Sequence, residues 1–147
     1  MFDREPRPVT MTGLQYKQVT PLGTVCYSEA GISAERLRIV DEKIKWCIDQ
    51  GLKGTPQSIT IFLKDGTVEK NGGTWIEDFD EPNPIYNGRL IGGRVVSFNP
   101  IAILVMPRQL GCIRHELLHI YFRQQTGDYD TNHTKPEWRV WPTYEDT

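Results

Sequence analysis

The chain has 147 residues, which fits one domain of ordinary size and leaves little room for a second. Hydrophobic residues make up 38% of the chain and charged residues 24%, so we expect a folded core and exclude overall disorder. The 17 Lys and Arg residues stand against 19 Asp and Glu residues, and this net charge of -2 does not support nucleic acid as a partner.

The sequence shows no signal for export or for membrane insertion. No stretch approaches the roughly 20 apolar residues that a membrane-spanning helix needs. The first eight residues lack the apolar core of a signal peptide, so we expect a cytoplasmic protein. The cysteines Cys26, Cys47 and Cys112 are widely spaced, and a disulfide framework or a zinc ribbon is therefore not expected.

The first third of the chain predicts an arm, a short strand and a helix. Residues 1–20 are polar and contain prolines, which is typical of a flexible arm. Residues 24–27 predict a short strand. A helix is predicted over residues 33–50, because apolar residues recur there at helical spacing. Ser33 is a suitable N-cap for this helix, and Gly51 is placed to end it.

The middle of the chain predicts strands around a long loop. Residues 58–63 form a β-branched run that favours a strand. Residues 65–88 are rich in Gly, Asp, Pro and Asn and predict a long surface loop. Two further strands are predicted at 90–98 and 101–106, with Asn99-Pro100 between them.

The last third predicts a second helix followed by an irregular tail. The helical pattern covers residues 108–125, with Pro107 suited to the first turn and Gly127 placed to stop the helix. In the tail, Trp138 and Trp141 are predicted to pack against this helix rather than to bind substrate.

The second predicted helix carries the residues that point to chemistry. His115 and His119 are four residues apart, so both imidazoles lie on one helix face and can share a metal ion. Glu116 follows His115 directly, beside the metal rather than on it, where it can take a proton from an activated water. This is the logic of the H-E-x-x-H motif, and it predicts a Zn²⁺ site with Glu116 as the catalytic residue.

A catalytic zinc site needs a third protein ligand, for which His133 is the first candidate. The helix carries the chain roughly 9 Å beyond His119 at 1.5 Å per residue. Gly127 permits a reversal, and the six residues up to His133 span up to about 20 Å when extended, so the chain can return. Distance alone does not exclude three carboxylates as the third ligand. They are Asp128, Asp130 and Glu137.

Several neighbouring residues have alternative roles. Cys112 lies one turn before His115 and is predicted to be a buried structural thiol. Asp128 and Asp130 either orient a metal-binding histidine or belong to a solvated turn. No spacing rule selects the residue that would stabilise a tetrahedral oxyanion. The candidates for that role are Tyr129, Arg139 and Tyr144.

The segment from His115 to Trp138 reads HELLHIYFRQQTGDYDTNHTKPEW. It resembles the metal-binding segment of SprT-like zinc proteases and, more widely, that of zincins such as minimal gluzincin-like peptidases. The resemblance covers about 24 of the 147 residues. It implies that His115, His119 and His133 are metal ligands and that Glu116 is the general base.

The resemblance also implies a fold. Such peptidases are small α+β domains with a mostly antiparallel twisted sheet, a backing helix and an active-site helix below an edge strand. Residues 90–98 would be that edge strand, where an extended peptide could pair. Gly92 and Gly93 would permit close backbone approach.

We therefore expect a zinc metallopeptidase that acts on a peptide or protein substrate. The alternative is a non-catalytic protein in which the same residues form a structural zinc clamp, although Glu116 has no function in such a site. The sequence does not determine the cleavage preference or the oligomeric state.

Overall fold

The computed structural model describes residues 13–64, 93–107, 109–130 and 132–142. It also describes the backbone of the two strands at residues 67–70 and 74–77. Two α-helices, two short 3-10 helices (Pro56–Ser58 and Pro136–Arg139) and seven strands are present in these residues. The α-helices are α1 (Ala34–Asp49) and α2 (Cys112–Thr126). The strands are β1 (Tyr16–Val19), β2 (Val25–Ser28), β3 (Ile59–Leu63), β4 (Thr67–Lys70), β5 (Thr74–Glu77), β6 (Gly93–Phe98) and β7 (Ile101–Val105). Five of the strands form one sheet in the order β1-β2-β3-β7-β6, and β4 pairs with β5.

The main sheet is mixed, so the expectation of a mostly antiparallel sheet is wrong. Helix α1 connects β2 to β3 and returns the chain to the same end of the sheet, which makes these neighbouring strands parallel. Strand β3 is also parallel to β7, whereas the outer pairs β1-β2 and β6-β7 are antiparallel. The predicted fold class, a small α+β domain, is confirmed, with a mixed sheet in place of a mostly antiparallel one.

Local sequence signals explain helix α1. Its N-cap is Ser33, whose hydroxyl accepts a hydrogen bond from the backbone N–H of Arg36 at 3.2 Å. The helix buries Val40, Ile44 and Cys47 against the sheet, which is the apolar face that the periodicity predicts. The predicted helix at 33–50 is confirmed.

Two predicted irregular regions contain strands. Strand β1 lies within residues 1–20, the segment for which the sequence predicts a flexible arm. For the described residues of that segment, the prediction of an arm is wrong. Three of the four β1 residues are exposed, so this strand lacks the alternation that would reveal it. The predicted loop at 65–88 contains the β4-β5 hairpin, and the rest of that loop lies outside the described residues.

Helix α2 begins at Cys112, four residues later than the predicted start at residue 108. Pro107 is therefore not in its first turn. The intervening chain forms hydrogen-bonded turns that bury Leu110 in the core. The predicted end is confirmed, since Gly127 is the C-cap with a left-handed φ of 80°.

The core lies between the sheet and the two helices, and it fixes α2 in place. Helix α2 packs against α1, β6 and β7. The tail also joins the core, because Trp141 packs edge-on against Trp46 of α1 and against Tyr121 of α2. The predicted packing of Trp141 is confirmed. Among the described residues, no helix has the length and apolar character that a membrane crossing requires.

Candidate metal centre

Helix α2 places two imidazoles side by side in its buried middle. The ring centroids of His115 and His119 are 5.2 Å apart, as expected for residues one helical turn apart. The two residues are only 8% and 2% exposed. Because the helix is packed on both sides, this pair is held on a rigid element.

The chain beyond α2 returns a third imidazole to this pair. Nε2 of His133 lies 3.2 Å from Nε2 of His115, and the His133 ring is centred 4.8 Å from that of His119. One potential ligand atom from each of the three histidines lies within 4.8 Å of the others. The three alternative carboxylates do not belong to this group. The structure thus brings His133, rather than a carboxylate, to the histidine pair.

The donor type of all three side chains, and the spacing of one nitrogen pair, agree with a zinc ion. With Zn–N distances of 2.0–2.1 Å, neighbouring ligands of a tetrahedral site are about 3.3 Å apart. The distance of 3.2 Å between the Nε2 atoms of His115 and His133 agrees with that value. Imidazole is also a ligand that Zn²⁺ accepts well. The three ligand atoms together lie within 4.8 Å of one another, so a bound ion would draw the ring of His119 or His133 slightly closer.

The tautomer of His119 is set by the loop that follows α2. Its Nδ1 lies 2.7 Å from the backbone carbonyl oxygen of Tyr129. A carbonyl oxygen can only accept, so Nδ1 carries the proton and Nε2 of the neutral ring keeps a lone pair. Metal-binding histidines commonly have such a hydrogen bond at the other ring nitrogen.

Glu116 lies beside the histidines and below strand β6. Its carboxylate Oε2 is 3.9 Å from Nε2 of His115, and the residue is 3% exposed. Gly93 of β6 approaches it so closely that a Cβ atom at residue 93 would lie 3.1 Å from Cγ of Glu116 and 2.8 Å from the carbonyl oxygen of Leu104. The predicted close approach at Gly93 is therefore made to the Glu116 side chain, while Gly92 lies outside the described residues.

Asp130 organises the loop that carries His133. Its Oδ1 accepts a hydrogen bond from the Thr134 hydroxyl at 2.9 Å. Its Oδ2 accepts one from the Lys135 backbone N–H at 2.9 Å and one from Nε1 of Trp138 at 2.7 Å. The Asp130 carboxylate thus binds residues that follow His133 in the chain. It holds the loop together and is not a member of the histidine group.

Trp138 packs against all three histidines. Its ring centroid lies 4.7 Å from that of His115, 4.8 Å from that of His119 and 4.4 Å from that of His133. It also contacts Phe122 of α2. The prediction that Trp138 packs the tail against the helix is confirmed, and its contact with the histidine cluster is an additional finding.

The remaining candidate residues receive no role in the histidine group. Cys112 is half-buried rather than buried, and it does not belong to the group. Asp128 is exposed and accepts a hydrogen bond from the Asp130 backbone N–H at 3.0 Å. The Tyr129 ring packs on Phe98. Two other candidates for oxyanion stabilisation stay untested: Arg139 is exposed, and Tyr144 lies outside the described residues.

The buried cysteines are unsuited to nucleophilic chemistry. Burial raises the pKa of Cys26 to about 12, with a further contribution from the charge of Asp41. Burial also raises the pKa of Cys47 to about 12. Because the thiolate is the reactive form, both thiols stay protonated and unreactive at neutral pH.

Sequence reasoning missed the contact of Trp138 with the histidines, and it offered a role for Asp130 in orienting a histidine only beside the alternative of a solvated turn. Asp130 is 5% exposed, so the solvated turn is wrong for this residue. An available signal was the pair Asp130 and Thr134, since aspartate often accepts hydrogen bonds from the residues that follow it in a turn. No sequence signal places Trp138 on the histidines, because that contact depends on the path of the loop.

Comparison with known proteins adds no family to this description. No protein-family model matches the chain, and neither a curated protein nor a solved structure matches it. The functional interpretation therefore depends on the residues and their geometry.

Replacement of Gly93 by alanine should disturb the contact between β6 and Glu116. The added Cβ would meet the Leu104 carbonyl oxygen at 2.8 Å, and relief of this clash requires a backbone shift. We expect the free energy of unfolding to fall by about 1–3 kcal/mol, as in overpacked cores. Urea denaturation measures the change. The control is Ser97→Ala on the same strand, and equal stability of both variants would contradict the close contact.

Asp130→Asn should change the dependence of stability on pH. Burial raises the pKa of Asp130, but the hydrogen bonds from Lys135, Trp138 and Thr134 outweigh it and hold the pKa below the ordinary 3.8. A carboxyl with a lowered folded-state pKa stabilises the protein above its unfolded-state pKa and loses this effect as pH falls through the folded-state value. The wild-type protein should thus be more stable than Asp130→Asn near pH 6, and the difference should shrink below pH of about 3.8. Urea denaturation at several pH values, with a metal chelator present, measures the difference in the free energy of unfolding between the two proteins. A difference that does not change with pH would contradict the lowered pKa of Asp130.

Proposed function

We propose that the chain is a zinc-dependent metallopeptidase with Glu116 as its general base. His115, His119 and His133 would hold one Zn²⁺ ion. The observation that carries this proposal is the convergence of three histidine nitrogens next to a buried carboxylate. Three converging imidazoles alone suit several kinds of metal site, whereas the neighbouring Glu116 is suited to proton transfer.

The roles in peptide hydrolysis follow from these positions. A zinc ion supplies a Lewis acid that polarises a carbonyl group and acidifies a water molecule. Glu116 accepts the proton of the attacking water at its carboxylate and delivers it to the leaving amine. Burial of Glu116 keeps this proton transfer away from bulk solvent.

Strand β6 is the proposed position of the substrate peptide. Within the part of the chain that the structure describes, β6 is the outermost strand on its side of the sheet and packs on α2. Its first residue, Gly93, contacts Glu116. An extended peptide paired with β6 would therefore run past the carboxylate.

A zincin-like, SprT-like relationship is part of the same proposal. It is supported by the H-E-x-x-H sequence on α2, by the return of His133 and by the helix lying beneath a terminal strand. A cytoplasmic location is supported by the cysteines, since Cys26, Cys47 and Cys112 form no disulfide.

Glu116→Gln tests the proposed mechanism. The amide keeps the shape of the side chain but cannot act as a base, so zinc should bind while the rate of peptide hydrolysis falls by roughly 10²–10⁴-fold. Metal content and cleavage of a denatured protein substrate are measured on the same sample. Glu137→Gln is the matched control and should cleave at the wild-type rate. Wild-type cleavage by Glu116→Gln would exclude the role of Glu116 as general base.

A structural zinc site is the second candidate function. The observation that favours it is the burial of the cluster, with Trp138 packed against all three imidazoles. A structural site is closed by four protein ligands, whereas a catalytic site keeps a position for water. The two functions therefore differ in the coordination of the bound ion.

X-ray absorption of the zinc-loaded protein distinguishes the two candidates. We expect three imidazole ligands and one further light atom whose signal changes when a small hydroxamate is added, because an exchangeable ligand marks an open position. Insensitivity of the spectrum to hydroxamate, together with a fourth protein ligand, would favour the structural site.

A further inference from the structure

The turn that carries His133 has an unusual backbone. Asp130 and His133 both adopt left-handed conformations, with φ values of 55° and 58°. This region is unfavourable for residues other than glycine, although Asp and His tolerate it better than most. A turn with two such residues persists only where surrounding interactions determine it.

Asp130 supplies these interactions on both sides of His133. Its backbone carbonyl oxygen accepts a hydrogen bond from the His133 N–H at 3.0 Å. Its carboxylate binds Thr134 and Lys135, the two residues after His133. The hydrogen bonds of Asp130 therefore close the loop around His133, and the Cα position of His133 depends on them.

The same carboxylate also acts on the His133 ring through Trp138. The indole N–H donates to Oδ2 of Asp130 at 2.7 Å, and the indole ring is centred 4.4 Å from the His133 ring. Asp130 thus fixes both the backbone of His133 and the surface against which its imidazole packs.

We propose that Asp130 is the positioning residue of the third metal ligand. This inference rests on the proposed zinc site and goes beyond it in naming the residue that holds the third ligand in place. His115 and His119 need no such device, because α2 already fixes them. His133 lies on a turn, and the ordering of that turn before the metal arrives removes an entropic cost from metal binding.

Asp130 exerts this effect through the loop and not as a ligand or as a partner of a ring nitrogen. Both carboxylate oxygens already accept hydrogen bonds from Thr134, Lys135 and Trp138. The nitrogen partner of His119 is the Tyr129 carbonyl, so that ring does not depend on the carboxylate for its orientation. Loss of Asp130 should therefore act on zinc binding chiefly through His133, because helix α2 fixes the two histidines that Trp138 also contacts.

A double-mutant cycle on zinc affinity tests this dependence. The wild-type protein, Asp130→Ala, His133→Ala and the double variant compete for Zn²⁺ with a chromophoric chelator. We expect Asp130→Ala to weaken zinc binding roughly 10–100-fold, as for other residues that support a metal ligand. In the His133→Ala background the same change should have almost no further effect, because the ligand that it positions is gone.

Asp49→Ala is the matched control for loss of one negative charge. Asp49 is an exposed residue at the end of α1 that forms an i,i+4 ion pair with Lys45, and its removal should leave zinc affinity unchanged. Trp138→Phe removes the indole N–H but keeps an aromatic ring, and it should weaken zinc binding less than Asp130→Ala. If Asp130→Ala does not fold, Asp130→Asn enters the same cycle, since its amide keeps only part of the acceptor capacity.

Substitution with Co²⁺ gives a second readout of the ligand geometry. Four-coordinate Co²⁺ absorbs strongly in the visible range, and six-coordinate Co²⁺ absorbs weakly. We expect strong bands in the wild-type protein and weaker bands in Asp130→Ala at saturating Co²⁺, because His133 no longer holds its position.

The outcomes separate the two proposals. Failure of the wild-type protein to bind Zn²⁺ would overturn the zinc site and the role of Asp130 together. Zinc binding by the wild-type protein with unchanged affinity in Asp130→Ala would overturn only the role of Asp130. An equal loss in the presence and absence of His133 would show that Asp130 acts by another route and would also overturn the inference.

Discussion

Three hydrogen-bond donors from the chain beyond His133 converge on the Asp130 carboxylate and close the loop that returns to helix α2. A helix can present two imidazoles one turn apart, but a third ligand on the same side must come from a different part of the chain. The return begins at Gly127, whose left-handed conformation ends the helix. The position of His133, and with it the three-histidine cluster, therefore depends on a short segment that Asp130 holds together.

The sheet and the helices supply the fixed part of the site. Helix α2 is packed against α1 on one side and against β6 and β7 on the other, so His115, Glu116 and His119 have little freedom. The close contact of Gly93 with Glu116 links the terminal strand to the carboxylate. The cluster combines two histidines on a rigid helix with one on a turn.

The sequence predicted the parts of the structure that depend on local patterns. Ser33 and Gly127 mark helix ends through their own conformational preferences, and the spacing of His115 and His119 predicts a shared helix face. Strand β1 was missed because its residues are mostly exposed, so the alternation of apolar and polar residues that predicts a strand is lacking. The contact of Trp138 with the histidines and the individual hydrogen bonds of Asp130 were not predicted, because they arise only after the loop has closed. The mixed sheet follows from the path of α1 between β2 and β3, which strand patterns alone do not determine.

A cation at the centre of the cluster, as proposed above, would fit the charges around it. Three protonated imidazoles whose nitrogens lie within 4.8 Å would repel one another, whereas a bound ion would be shared by three neutral rings. A buried carboxylate such as Glu116 costs free energy unless positive charge lies close to it. A divalent ion held by the three rings would satisfy both conditions, because it accepts the lone pairs and provides the charge that stabilises the carboxylate. The carboxylate also separates the two candidate functions, since a purely structural site gains nothing from a buried base beside its ligands, whereas hydrolysis requires one.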